Sequence, residues 1–111
     1  MKHLLFTLRY CPFNTLNDEG MIREHLKIAS QQSLSTLLDI TSHKFDPQGV
    51  TAVALLAESH ISIHTWPEKG IAVCDIFTCS DLGAPKMAAE YLKTALKAGI
   101  MNSELIRREL D

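Results

Sequence analysis

Several features that mark specialised chains are scarce or missing here. There are three cysteines, Cys11, Cys74 and Cys79, an odd number without paired spacing, which argues against a secreted disulfide framework. In a reducing compartment each thiol is either packing or chemistry. The five glycines are scattered, so the phosphate-cradling loop and the dinucleotide fingerprint are both absent. No apolar run approaches the length that spans a bilayer. The opening, Met1 to Leu8, begins like a secretory signal, but Arg9 ends it and no small-residue cleavage site follows. A cytoplasmic protein without a membrane partner is expected. Neither sign of charge dominates; the formal net charge is -2, which leaves no basic field to attract nucleic acid. Repeats, linkers and low-complexity segments are missing too.

What remains suits one compact domain. A chain of 111 residues, 46% hydrophobic and 22% charged, has room for a single core. Lys2 to Tyr10 places Leu4, Phe6, Leu8 and Tyr10 on one side of a strand, with Leu5 the exception. Pro12 breaks it. Asn17 or Asp18 can cap a helix whose Ile22, Leu26 and Ala29 recur at helical spacing through Ser30. Leu37 to His43 predicts a second strand and Asp46-Pro47-Gln48-Gly49 a turn. Val50 to Ala57 is almost wholly apolar, the pattern of a strand buried on both faces. In the next strand Ile61, Ile63 and Thr65 oppose His60, Ser62, His64 and Trp66. The chain turns at Trp66 to Gly70 and Ile71 to Thr78 forms another strand. A helix is predicted from Pro85 to Ala98, with Gly99 past its end and a stripe of Met87, Tyr91 and Ala95 helped by Ala88 and Leu92. Asn102 to Leu110 suits helix or strand. The fold class is α+β, a two-layer sandwich of hairpin strands and two helices.

The chemistry concentrates between Ala57 and Glu68, where two histidines, two serines, a tryptophan and glutamates crowd one strand. His60 and His64 lie about 13 Å apart along an extended strand, too far to share a metal ion; no metal is expected. A serine-hydrolase triad lacks its nucleophile elbow, and Ser59 faces away from His64 in a regular strand.

Glu58-Ser59-His60, His64-Thr65-Trp66-Pro67-Glu68 and Asp75-Ile76-Phe77-Thr78-Cys79 together resemble the prokaryotic S-adenosylmethionine decarboxylases. His43-Lys44-Phe45 and Pro47-Gln48-Gly49-Val50-Thr51 match the same family. The resemblance runs from His3-Leu4 to the second helix and is most specific between Phe45 and Cys79. It implies a proenzyme that cuts itself between Glu58 and Ser59, giving a β chain of 1–58 and an α chain of 59–111. Ser59 would attack the Glu58 carbonyl, form an ester, and lose it by elimination; hydrolysis would then leave a covalent pyruvoyl cofactor. That ketone would take the substrate amine as a Schiff base and act as electron sink. The resemblance assigns processing to His64, assisted by Thr51, and proton donation to Cys79. It assigns adenine binding to Phe45 and Trp66, and the ribose hydroxyls to Glu68. Asp75 and Thr78 receive no role, and His60 reads as packed or solvated. The product would be the aminopropyl donor for spermidine.

The family also implies helices on one face of a largely antiparallel sheet, a strand for the tail, and a homodimer whose sites draw on both protomers. Ile71 to Phe77 and Leu55 would then pack between sheets. Thr7, Ile71, Cys74 and Ser80 depart from the common family pattern, which leaves substrate choice open. The alternatives are a pyruvoyl-dependent arginine or ornithine decarboxylase, disfavoured by two aromatic walls that such substrates cannot fill, and an uncleaved regulatory homologue.

Overall fold

The structure, a computed structural model, describes residues 1–57, 59–79 and 84–109. Among them the order is β1 (Lys2–Arg9), α1 (Phe13–Leu16), α2 (Glu19–Gln32), β2 (Leu37–Lys44), β3 (Val50–Leu56), β4 (Ser59–Trp66), a 3₁₀ turn at Pro67–Lys69, β5 (Ile71–Thr78), α3 (Ala84–Ala95) and β6 (Ile100–Arg107). The tail is a strand. All strands join one antiparallel sheet in the order β2-β3-β4-β5-β1-β6. The chain runs through consecutive hairpins from β2 to β5, and β1 is then inserted between β5 and β6.

Alternation decides which side of the sheet the helices cover. Leu4, Phe6 and Leu8 of β1 are buried with Val50, Ala52 and Ala54 of β3, and so are Ile61 and Ile63 of β4. α2 and α3 pack on that side and on each other. Ile22, Leu26 and Ala29 of α2 meet the sheet as their spacing predicts. Asp18 caps α2, its Oδ1 accepting from the Met21 N–H at 3.0 Å.

Four details differ from the sequence reading. Tyr10 does not extend the buried row of β1: its φ of 61° takes it out of the strand, and it is exposed. α3 stops at Ala95, with Lys97 rather than Gly99 adopting the left-handed conformation and the Gly99 N–H bonding Arg9 O at 2.9 Å. The inward face of α3 is Ala88, Ala89 and Leu92, continued by Leu96 just past its end, and Met87 lies outside it. Small side chains let the helix sit close to the strands, so the centre of the stripe falls one residue later. β3 is buried on one face only, because Leu55 points to the uncovered side and is 51% exposed.

That uncovered side of the sheet also carries His60, Ser62, His64 and Trp66 of β4, and Val73, Asp75 and Phe77 of β5. A sheet with one face on the core and one face open is a normal outcome for antiparallel strands, though the open face is usually more polar than this one.

Candidate active site

The expected site residues gather at the two ends of β4. At its start, Ser59 is buried and lines a cavity of about 240 Å³ with Ala57, Thr78, Cys79 and the Ser33–Thr36 segment that follows α2. The register that pairs His60 with Phe77 brings Ser59 alongside Thr78 one step further on. Cys79, just beyond β5, is exposed. The far wall is fixed by the Ala57 N–H bonding Thr36 O and the Ser35 N–H bonding Ser30 O, each at 3.0 Å. The Ser59 hydroxyl donates to Ala57 O across a long contact of 3.5 Å. Glu58, the other half of the expected cleavage site, lies outside the described residues, as does Ser80.

At the opposite end a second cavity, of about 350 Å³, is lined by Phe45, Thr51, His64, Trp66 and Glu68 together with the Gln48-Gly49 turn. Thr51 and His64 are direct cross-strand partners, with Oγ1 and Nδ1 3.0 Å apart. If Nδ1–H is donated to the hydroxyl oxygen, Nε2 keeps its lone pair and can act as a base. A buried hydroxyl holds this end together: Thr65 Oγ1 donates to Leu16 O at 2.8 Å and accepts from the Val50 N–H at 2.9 Å. Phe45 is set by the turn. Its N–H bonds Gly49 O at 2.8 Å, and Gly49 has φ 109° with its N–H on Asn17 Oδ1. The left-handed φ there favours glycine, and a Cβ would also crowd Thr65 O at 3.3 Å. Phe45 and Trp66 remain 46% and 41% exposed, open to a planar guest.

Between the ends, on the open face, lies a cluster the sequence did not single out. Asp75 Oδ2 accepts from His3 Nε2 at 2.6 Å and His60 Nε2 at 2.8 Å, and Oδ1 accepts from the Ser62 hydroxyl. Burial pushes the Asp75 carboxyl up, but the hydrogen bonds from Ser62, His3 and His60 outweigh it and leave the pKa below its ordinary value. His60 is therefore neither merely packed nor simply solvated. Strand alternation puts His60, Ser62 and Asp75 on one side, but contact with His3, 72 residues from Asp75, depends on β1 entering the sheet beside β5.

The model of the S-adenosylmethionine decarboxylase family matches residues 2–109. The chain belongs to that family. The S-adenosylmethionine decarboxylase proenzyme of Synechococcus sp. (strain WH7803) is 48% identical over 97 residues, 87% of this chain and 76% of the relative. The proenzyme of Methanococcus aeolicus is 47% identical over 96 residues, covering 86% and 82%. The crystal structure of the adenosylmethionine decarboxylase from Aquifex aeolicus VF5 superposes with a TM-score of 0.91 at 34% identity, over 99% of this chain and 91% of that one. The α+β sandwich is thus a decarboxylase-family fold. Along this one chain the described residues that the resemblance singles out line two cavities rather than one. Ser59 and His64 are five residues apart, about 16 Å along a strand, and odd spacing turns them to opposite faces.

Proposed function

We propose that this chain is an S-adenosylmethionine decarboxylase that makes its own pyruvoyl group by cutting itself between Glu58 and Ser59. The observation that carries the reading is the second cavity, where two aromatic faces, a carboxylate and a hydroxyl–imidazole pair meet. Phe45 and Trp66 offer walls for adenine and electron-rich faces for a sulfonium, and Glu68 offers acceptors for ribose hydroxyls. The Thr51–His64 pair can take a proton during processing. At the other cavity, an α-keto group in place of the Ser59 side chain and amide needs no more room than serine. Once formed there, the pyruvoyl group supplies a ketone that binds the substrate amine and draws off the electrons left as carbon dioxide departs. Cys79 lines the same cavity as Ser59, which supports assigning it the return of a proton to the substrate α-carbon.

Ser59 and Cys79 from one protomer need Phe45, Thr51, His64, Trp66 and Glu68 from another, because one β4 holds them a strand's length apart. A homodimer built face to face through the open sheets supplies them. The exposed Leu55 and Val73, with the half-buried Phe77, are the apolar surface such packing would bury. No described helix is long and apolar enough to cross a membrane; buried thiols at Cys11 and Cys74 suit a reducing compartment, and we assign the reaction to the cytoplasm.

Intact mass and carbon dioxide release test the reading together. Purified protein should give two fragments, 1–58 and 59–111, the second ending in a keto group that reacts with carbonyl reagents. It should release carbon dioxide from S-adenosylmethionine and not from arginine or ornithine. Ser59→Ala should stay whole and inactive. A whole, keto-free chain that still turns over, or preference for a basic amino acid, overturns the assignment.

A further inference from the structure

The proposed chemistry leaves the Asp75 cluster unused. Its three ligand-type atoms, from His3, His60 and Asp75, lie within 4.8 Å of one another, close enough to suggest a metal. The donors argue otherwise. The Arg108 guanidinium donates to His3 Nδ1 at 3.2 Å, so that nitrogen carries no proton and Nε2 is the donor to Asp75. A metal-binding histidine normally hands its second nitrogen's proton to an acceptor, whereas His3 has a cation there. Among the described residues, every buried side-chain polar atom has a partner. The arrangement is a hydrogen-bonded clamp.

We propose that Asp75 is a positioning residue for the pyruvoyl end of the α chain, acting through His60. The proposal rests on the self-cleavage reading. Before cleavage β3 and β4 form a hairpin, and the connection holds the start of β4. Afterwards residue 59 is a chain terminus, and termini fray unless tied down. His60, the next residue, is tied to Asp75 by its Nε2 and lies against the Phe77 ring at 6.0 Å and 26°. Phe77 is two residues from Cys79, so fixing His60 to β5 also fixes residue 59 relative to the proton donor. The clamp spans the cut as well: His3 belongs to fragment 1–58, and His60, Ser62 and Asp75 belong to fragment 59–111.

Hydrogen exchange at amides 60–62 tests this, comparing Asp75→Asn in the self-processed chain with the same change in uncleavable Ser59→Ala. Exchange should rise about tenfold or more in the processed chain and less than about twofold in the whole one, where the hairpin still holds the strand. In the processed variant kcat should fall about tenfold with KM within about twofold, because the adenine cavity is at the other end of β4. After prolonged turnover, part of its α chain should carry an amino rather than a keto terminus by mass, the mark of a proton delivered to the wrong carbon. Ser62→Ala, which removes one bond to Asp75, should show a weaker form of each effect if Asp75→Asn folds poorly. An equal rise in exchange in both backgrounds overturns the proposal and leaves the clamp an ordinary structural one. Zinc bound stoichiometrically by the wild type and lost in Asp75→Asn overturns it in favour of a metal site. A processed, active chain without the exchange difference sinks this inference alone, while a wild type that stays whole sinks the cleavage reading with it.

Discussion

Burial separates the three thiols. Cys74 is pushed well above the ordinary thiol value by burial, and further by the nearby Cys11 and Asp75; Cys11 is raised by burial. Cys79 is exposed, as its proposed role of proton donor requires. Iodoacetamide near pH 8 should therefore label Cys79 in the folded protein and reach Cys11 and Cys74 only on unfolding. Rapid labelling of Cys74 in the native state would contradict its place beneath the helices. Asp75 has the opposite shift, a carboxyl held below its ordinary value. A depressed folded pKa adds stability above the unfolded pKa and loses it as pH falls through the lower folded value. Asp75→Asn should thus lower the urea midpoint at neutral pH, and the gap from wild type should close as pH falls below about 4. A gap that stays constant down to acid pH would mean the carboxylate's charge contributes nothing.

At the level of elements, period-two and helical patterns disclosed most of the fold, since α2, β4 and, as far as Leu8, β1 bury the residues their spacing selects, while β3 buries one of the two faces its apolar run predicts. Sequence spacing could not show that β1 lies between β5 and β6. Its pairing with β5 joins residues some seventy positions apart, and that pairing brings His3 to Asp75. The two-ended arrangement was half legible: alternation already turned Ser59 away from His64, and the resemblance implied sites that draw on both protomers, but the spacing could not show which cavity each residue lines. α3 shows the limit of pattern reading. Met87 is apolar at a reasonable spacing, yet the packed face is Ala88, Ala89 and Leu92, with Leu96 just past its end, because a close helix selects small side chains over large ones. Ala89→Leu should therefore cost about 1–3 kcal/mol by overpacking, whereas Met87→Ala should stay within about 0.5 kcal/mol. Urea denaturation of both variants checks the face, and the reverse ranking would place Met87 on the core side.

The molecule as a whole has one sheet face covered by helices and one bare, and the proposed site residues lie at the two ends of one strand. Both facts have the same explanation if two copies meet through the bare faces, each lending its Ser59–Cys79 end to the other's aromatic end. Such sharing makes defects complementary. A Cys79→Ala chain retains the aromatic cavity and Glu68, and a Glu68→Ala chain retains Ser59 and Cys79. Neither change touches processing, so both chains should cleave, and each alone should turn over poorly. In a mixed dimer one site collects both defects and the other collects neither. With random pairing half the dimers are mixed, so co-expression should restore about a quarter of wild-type activity. Sites confined to single protomers would give no restoration, since every site would then carry one defect. A charged residue at Leu55, on the bare face near the end of β3, should abolish the restoration by separating the copies, with each monomer keeping its fold because that side chain is 51% exposed in the isolated protomer.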